Sequence, residues 1–473
     1  MGFISSVFKM NQDNSPQQLL KKINNRHPNN AIERVREKLV LVAKVDHEFK
    51  EFGADNHQYK LNPPLSFEKV KQLQTQSGCS FPQDYVDFIT QIGNGGSGIY
   101  GGAGPYYGIA AFDETIDRNG IRNCAQPCLL HPDMDIAEWT ALCEVPEDCS
   151  DDEFDIICDR VHQGTLYLGT CGCEYDLLLV VNGPYKGHII YTSHWVNSNT
   201  PYTFSYETSF IEWYERWLDE VILGYNTSWF GHKMGGDEKT LINIAKNTDN
   251  INKKIDVITS LTKLPVLSKS ALDFLEQQLN TTEITLYKAA LNVFSEYSCE
   301  QAIPYIQQEL KIPYSEKTKI VIPIIYLTQK DNFKLFKDDL IQFLKKTNDN
   351  NTLSHIGYIL KSLNAVRVED FQPFFIHQNK ELAISAIYSA SHDIDLKDKI
   401  EFFFDAIVST NQRISLIAIQ SATKINQIND NLLPYLKKAW KMYPIEKDPY
   451  IRNNINSYIN KIETNKKIDI TQW

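Results

Sequence analysis

Cysteine is the residue type in this sequence whose chemistry and clustering most suggest a metal site. Eight of the nine cysteines lie between Cys79 and Cys173, including the pairs Cys124/Cys128 and Cys171/Cys173. Structural zinc sites usually combine two CxxC knuckles, and a CxxxC and a CxC with irregular spacing do not form that pattern. The alternative is that these thiols are small buried apolar groups. We therefore expect neither a metal ion nor a cofactor, and zinc is the alternative.

Glycine spacing suggests a second kind of chemistry, because Gly93, Gly95 and Gly98 fit the GxGxxG pattern of dinucleotide-binding loops. In those loops a strand precedes the glycines and a helix N-terminus receives the pyrophosphate, whereas here a predicted helix precedes them and Pro105 follows. The sequence contains no GK[ST] phosphate loop, no GxSxG nucleophile and no HExxH motif. We predict a protein without catalytic activity. An enzyme whose groups converge from distant positions is the alternative.

Carboxylates are concentrated in residues 133–159, which contain eleven of them and no lysine or arginine. This segment alone equals the formal net charge of the chain, −11. An acidic surface steers basic proteins and accelerates their association, so we predict contact with a basic partner here. The alternative is a solvated loop that like-charge repulsion keeps extended. The EF-hand spacing with its central glycine is missing, which argues against calcium.

Hydrophobic periodicity indicates the elements that hold these groups. Apolar residues at helical spacing from Phe81 to Ile92 predict an amphipathic helix that begins near Pro82. After a glycine-rich segment, GTLYLGTCG, EYDLLLVVNG and GHIIYTSH predict three strands, of which the last two form a hairpin. Ser209 and Glu212, spaced as a capping box, begin a final helix. The pattern predicts an α+β domain with a central sheet flanked by helices.

The chain is long enough for several cores, and its composition changes along its length. We predict a helical N-terminal extension over 1–59, the α+β domain over 60–230 and an all-α repeat domain over 237–473. In the last region apolar motifs recur every 29 to 38 residues, with a second apolar helix between them. This period is typical of a HEAT-like solenoid, and an irregular helical domain is the alternative. The aromatic positions that set the period are Phe274, Tyr305, Phe343, Phe374, Phe403 and Tyr435.

Overall charge and hydropathy narrow the classes of partner. A formal net charge of −11 gives no general attraction to nucleic acids or anionic membranes. No apolar run approaches the roughly 18 to 20 residues that span a bilayer. The odd number of cysteines and the short apolar run at the N-terminus favour reduced thiols and a cytoplasmic location. We therefore predict a protein partner, with no direct binding to nucleic acid or membrane.

Four blocks of the α+β region resemble the SUKH superfamily of Smi- and Knr-like cell-wall regulators. They are FPQDYVDFITQIGNGGSG, GGAGPYYGI, GTLYLGTCGCEYDLLLVVNGPYKGHIIY and FIEWYERWLDEVI, and they occur in the family's order over about residues 60–225. The resemblance implies a non-enzymatic α+β domain. It implies that many bacterial members are immunity proteins that neutralise toxins, often nucleases, and that fungal relatives are signalling scaffolds. The family's NGG step and helix start match residues that we interpret as structural: Asn94, Gly95, Gly96, Pro82, Asp84 and Tyr85.

The resemblance and the acidic segment together predict an immunity protein that covers a basic bacterial toxin such as a nuclease. A regulatory scaffold with an endogenous client is the main alternative. Aromatic side chains often dominate interface energetics, so we expect exposed aromatic anchors beside the acids. The predicted partner-binding residues are Asp148, Asp151, Asp152, Glu153, Asp155, Tyr106, Tyr107 and Trp195. The identity of the toxin, the role of the repeats and the oligomeric state stay open.

Overall fold

A computed structural model of the chain contains two compact units, Met1–Ser268 and Lys269–Trp473. The structure describes residues 15–112, 123–173, 175–193, 202–312, 315–425, 429–444, 449–462 and 473. Within these residues the first unit combines a small antiparallel sheet with flanking helices, and the second is all-helical. The predicted fold class is therefore confirmed. The predicted domain boundaries stay predictions.

The sheet of the first unit is an antiparallel meander of four strands, in which each strand pairs with the next one along the chain. β1 (Thr165–Gly172), β2 (Tyr175–Val180) and β3 (Ile189–Ser193) fall within the segments predicted as strands. β2 and β3 form the predicted antiparallel pair. β4 (Thr203–Phe204) pairs with β3, and the sequence does not predict it because two residues are too few to show an alternating pattern.

Both faces of the sheet are buried, which explains the continuous apolar run of β2. Leu177 and Leu179 belong to the larger core of the first unit, whereas Leu178 and Val180 belong to a smaller core. Successive side chains of a strand point to opposite faces, so the two cores lie on opposite sides of the sheet. The smaller core contains residues of the acidic segment, including Trp139. That segment therefore covers one face of the sheet.

Most of the described helices of the first unit begin at a residue whose side chain caps them. The side chains of Ser15, Ser66 and Ser209 each accept a hydrogen bond from the backbone N–H three residues further on. The helix predicted after Pro82 is α5 (Gln83–Gln91), and the predicted final helix is α8 (Phe210–Ile222). The described helices are α1 (Pro16–Arg26), α2 (Ala31–Val45), α3 (Ala54–His57), α4 (Phe67–Ser77), α5 (Gln83–Gln91), α6 (Ile136–Leu142), α7 (Asp151–Val161), α8 (Phe210–Ile222), α9 (Glu238–Asn247) and α10 (Ile251–Ser260).

The segment predicted as an N-terminal extension is part of the core of the first unit. Val35 of α2 is fully buried in the larger core, and α2 packs along α8. Lys38 is also buried, and its Nζ forms ion pairs with Glu215 (2.7 Å) and Asp219 (2.6 Å) of α8. Arg34 forms a further ion pair with Glu215, at 2.6 Å. α2 therefore supplies both apolar area and the charges that compensate two acids of α8.

In the described part of the chain no helix is long and apolar enough to cross a membrane.

The second unit consists of paired helices that follow the predicted repeat. The helices are α11 (Lys269–Gln278), α12 (Ile284–Tyr297), α13 (Cys299–Lys311), α14 (Glu316–Thr328), α15 (Phe333–Leu344), α16 (Asn350–Ser362), α17 (Val368–Phe371), α18 (Lys380–Ala390), α19 (Phe404–Ile407), α20 (Gln412–Ala422), α21 (Leu433–Met442) and α22 (Pro449–Ile462).

The aromatic positions that define the repeat connect neighbouring repeats. The hydroxyl of Tyr305 donates a hydrogen bond to Glu276 of the preceding repeat (2.7 Å). The ring of Tyr435 stacks on Phe404 of the preceding repeat, with 4.2 Å between the ring centroids. The four phenylalanines of the set are buried, namely Phe274, Phe343, Phe374 and Phe403. Each repeat thus completes the packing of its neighbour, as in helical repeat proteins generally.

Candidate functional site

The acidic segment folds as two helices, α6 and α7, that cover one face of the sheet. Their apolar sides supply Trp139, Cys158 and Val161 to the smaller core. The alternative of an extended loop is therefore wrong for this segment. We use the name acidic face for the exposed side of α7 with the turn before it. It contains the five predicted acidic contacts, all exposed: Asp148, Asp151, Asp152, Glu153 and Asp155.

Capping interactions explain how one short helix tolerates so many carboxylates. The Ser150 hydroxyl accepts a hydrogen bond from the N–H of Glu153 (3.4 Å), and the Glu153 carboxylate accepts one from the N–H of Ser150 (2.9 Å). The N–H and the hydroxyl of Ser150 both donate hydrogen bonds to the Glu153 carboxylate, and these bonds lower the pKa of Glu153. Asp151 and Asp152 lie in the same first turn, where the positive end of the helix dipole favours negative charge.

An exposed isoleucine lies within the acidic face. The side chain of Ile156 is 67% exposed. Asp152 and Asp159 lie one helical turn before and after it, and Asp155 is adjacent in sequence, so carboxylates surround it. Burial of an apolar side chain supplies binding free energy, and the surrounding charges favour a basic partner. The sequence analysis missed Ile156, although its spacing to Asp152 and Asp159 would have identified it once the segment was assigned as a helix.

A groove of about 730 Å³ opens beside α6. It is lined by Trp139 together with Tyr202 and Phe204, and Asp135 and Ile136 contribute to its α6 side. The Trp139 ring packs against Tyr202, with 5.2 Å between the ring centroids. Among the described residues, the Nε1 of Trp139 has no hydrogen-bond partner. The groove therefore offers an aromatic surface next to the acidic helices, and the sequence analysis did not predict it.

The three predicted aromatic contacts differ in their placement. Tyr106 is half-buried instead of exposed, because its hydroxyl donates a hydrogen bond to the carbonyl oxygen of Phe230 (2.8 Å). Burial raises the pKa of this phenol. Tyr107 is also half-buried and packs edge-on against Phe52, with 4.9 Å between the ring centroids. Trp195 lies outside the described residues. Contact of these residues with a partner stays a prediction.

The NGG step occupies a crossing of two backbone segments. The Oδ1 of Asn94 accepts a hydrogen bond from the N–H of Phe112 (2.8 Å). Gly95 has a φ of +46°, and a Cβ there would lie 2.2 Å from the carbonyl oxygen of Ala110. A Cβ on Gly96 would also lie 2.2 Å from neighbouring backbone. Any side chain would separate the two segments, so the glycines serve this close approach.

The helix start at Pro82 connects two long helices of the first unit. Pro82 is the N-cap residue of α5. The Asp84 carboxylate accepts a hydrogen bond from the N–H of Ile211 (2.9 Å) at the start of α8. Tyr85 is buried and packs edge-on against Phe210 of α8, with 4.9 Å between the ring centroids. These residues position α5 and α8 beside the sheet.

The cysteines were the candidate ligands for zinc. All nine are free thiols. In the part of the chain that the structure describes, no group of three or more His, Cys, Asp or Glu side chains could hold a metal ion. A hydrogen bond with the thiol of Cys124 lowers the pKa of Cys79 to about 7. Burial raises the pKa of Cys128 and of Cys143 to about 11, which keeps these two thiols protonated at neutral pH.

Comparison with known proteins gives a family for part of the first unit. Residues 64–216 match the SMI1/KNR4 family (SUKH-1). Domains of this family are generally non-catalytic and generally bind protein partners. No curated protein matches the chain. The crystal structure of an engineered protein from the Northeast Structural Genomics Consortium is similar over 40% of this chain and 95% of its own, with 16% identity. The TM-score of this similarity is 0.27.

Proposed function

We propose that this chain, whose residues 64–216 form a SUKH domain, is an immunity protein that neutralises a basic bacterial toxin by binding to it. The acidic face is the observation that carries the proposal, because it presents exposed carboxylates around the exposed Ile156 on a well-anchored helix. Such a surface needs no catalytic group, since covering the toxin is sufficient. A nuclease fits as the toxin because its phosphate-binding surface is basic.

The two kinds of side chain on this face have different kinetic roles. Exposed carboxylates attract a basic protein at long range and mainly increase the association rate. Ile156 acts only after contact, so its burial mainly decreases the dissociation rate. Measured association and dissociation rates can therefore separate the contribution of the carboxylates from that of Ile156. A different variant removes each contribution.

The test measures association and dissociation rates with the toxin domain encoded beside the gene of this chain. The acidic-face variant combines Asp151→Asn, Asp152→Asn and Asp155→Asn, and leaves Glu153 unchanged because its carboxylate caps α7. We expect its association rate to decrease about tenfold at low salt and to approach that of the wild type at high salt. Ile156→Ala should increase the dissociation rate, also by about tenfold.

Matched controls make the outcome specific. Glu48→Gln, Asp55→Asn and Glu68→Gln change the charge by the same amount at exposed positions of the same unit, and together form the control triple. Val40→Ala is the control for Ile156, since Val40 is 56% exposed on α2. If the control triple slows association as much as the acidic-face variant does, the acidic face is not the contact site. Toxin binding that is unchanged in both the acidic-face variant and Ile156→Ala would likewise exclude this face.

A regulatory scaffold is the second candidate, and the all-helical second unit favours it. Occlusion of one toxin needs a single surface, whereas helical repeats provide an additional one. Affinity capture from the native cell distinguishes the two functions. Recovery of an endogenous client, together with a gene neighbourhood that encodes no toxin, would contradict immunity and support scaffolding.

A further inference from the structure

The second helices of consecutive repeats present three tyrosines at equivalent positions. Tyr326, Tyr358 and Tyr388 lie on α14, α16 and α18, and they are 32 and 30 residues apart. Tyr326 is half-buried, whereas Tyr358 and Tyr388 are 41% and 37% exposed. In a repeat protein such positions fall on one side of the array. We call the side formed by these tyrosines and the lysines described below the tyrosine-lysine face.

Direct contacts make this face continuous across four helices. The ring centroids of Tyr326 and Tyr358 lie 5.8 Å apart. A Cβ on Gly357 would lie 2.3 Å from the Oγ of Ser389, so glycine allows α16 and α18 to pack closely beside the tyrosines. The Nζ of Lys424, which follows α20, lies 5.1 Å from the ring centroid of Tyr388.

The charge of this face is positive. Burial lowers the pKa of His392, and the neighbouring Lys424 and Lys361 lower it further. Burial and Lys361 likewise lower the pKa of Lys424. The three basic groups therefore lie close enough to repel one another electrostatically. Among the residues that the structure describes, no carboxylate forms an ion pair with Lys361 or Lys424. α16 and α20 contain no Asp or Glu.

The single acid of α18, Glu381, is already paired with Arg413 of α20. Two guanidinium nitrogens of Arg413 donate to its carboxylate, at 2.5 Å and 3.2 Å. Lys361 and Lys424 therefore remain as cations for which the neighbouring second helices provide no counter-charge.

We propose that the tyrosine-lysine face binds an extended acidic peptide segment of a partner protein. The lysines match carboxylates in charge, and the tyrosines offer ring surface and hydroxyl groups to the peptide. The spacing also fits, because packed helices lie about 8–10 Å apart, and in an extended chain of polyproline II conformation every third side chain points to the same side at intervals of about 9 Å. A carboxylate at every third residue would therefore meet one repeat after another.

A nucleic acid is a less suitable ligand for this face. Its affinity arises mainly from the neutralisation of many phosphates, and burial lowers the pKa of His392, which favours the neutral imidazole. The long-range field of a chain with net charge −11 repels a polyanion more strongly than it repels a short peptide with a few charges. The inference is independent of toxin immunity, which concerns the first unit.

The experiment measures fluorescence anisotropy of labelled probes with the full chain at about 50 mM salt, where electrostatic attraction is weakly screened. One probe is a peptide of about twelve residues with glutamate at every third position and serine elsewhere, and a second has the same composition with its glutamates gathered at one end. We expect tighter binding of the regularly spaced peptide. The combined variant Lys361→Glu and Lys424→Glu should weaken it by about tenfold or more.

The control reverses two exposed lysines on first helices, Lys337→Glu and Lys437→Glu, and should change the affinity less than about twofold. Thermal melts by circular dichroism show whether each variant is folded, and Lys361→Ala with Lys424→Ala replaces the charge reversal if it is not. Absence of saturable binding by the wild type would overturn the proposal. An equal loss in the control, or tighter binding of an oligothymidylate of similar length, would also overturn it.

Discussion

At the scale of single residues, Glu51 connects the turn after α2 to the loop after α8. Its carboxylate accepts a hydrogen bond from the hydroxyl of Thr227. Burial raises the pKa of Glu51 to about 7, and the nearby carboxylates of Asp46 and Glu220 act in the same direction. Near neutral pH, the folded protein therefore holds this carboxyl only partly ionised, whereas the unfolded chain ionises it fully.

Replacing Glu51 by glutamine should stabilise the protein at alkaline pH. Because the pKa is higher in the folded state, the neutral carboxyl favours folding below about pH 4.5, and this contribution is lost as the pH rises through 7. Glutamine keeps a hydrogen-bond acceptor for Thr227 and cannot ionise. At pH 8 we expect Glu51→Gln to raise the free energy of unfolding by about 1–3 kcal/mol, measured by urea denaturation.

The pH profile of this variant is more informative than a single value. The difference between Glu51→Gln and the wild type should increase between pH 5 and 8 and be small at pH 4. Glu48→Gln, at an exposed glutamate just before the same turn, should follow the wild-type profile. If the free energy of unfolding of Glu51→Gln also runs parallel to that of the wild type between pH 4 and 8, Glu51 does not ionise in a buried site.

At the scale of elements, α7 shows which parts of the fold local sequence could predict. Local patterns in the sequence predict the first three strands, the repeat helices and the caps at Ser66 and Ser209, and the structure contains them. Net charge argued for an extended loop in the acidic segment, but local capping favours a helix. The signals were present, since Asp135 with Glu138 and Ser150 with Glu153 both form capping boxes.

Long-range contacts account for what the sequence could not predict. The groove beside α6 joins Trp139 to Tyr202 and Phe204, which lie more than sixty residues further along the chain. Whether a half-apolar helix such as α7 covers the sheet depends on which face other elements leave open. The burial of α2 against α8 likewise depends on the match of Lys38 to two acids about 180 residues away.

Removing the charge of Lys38 should destabilise the first unit, because Asp219 would lose its close cation. Lys38→Met keeps most of the apolar stem and removes only the ammonium group. Breaking a buried ion pair costs about 3–5 kcal/mol, and Arg34 still compensates Glu215. We therefore expect a loss of about 2–4 kcal/mol in the free energy of unfolding at pH 7, measured by urea denaturation.

Two further variants test the cause of this loss. Lys44→Met removes a charge from an exposed position of the same helix and should have little effect. Adding Asp219→Asn to Lys38→Met should recover part of the lost stability, because the uncompensated carboxylate is then absent. Equal free energies of unfolding of Lys38→Met and Lys44→Met would show that the buried ion pair does not stabilise the first unit.

At the scale of the whole molecule, charge is divided unequally between the two compact units. Residues 1–268 contain 23 Lys and Arg against 35 Asp and Glu, a net charge of −12, whereas residues 269–473 contain 25 against 24, a net charge of +1. The acidic face and the tyrosine-lysine face therefore suit ligands of opposite charge. The field of the entire chain still acts on both ligands, because electrostatic interactions reach over a Debye length.

This division predicts how salt affects binding of the acidic peptide to the tyrosine-lysine face. At about 0.01 M salt the Debye length is about 30 Å, so the net negative charge of the chain, −11, should slow the arrival of the peptide. The acidic-face variant and the control triple remove the same charge, so both should raise the association rate about two- to fivefold, without change in the dissociation rate. At about 0.15 M salt the effect should nearly vanish. Stopped-flow fluorescence measures both rates, and an effect confined to the acidic-face variant or a changed dissociation rate would indicate direct contact between peptide and acidic face.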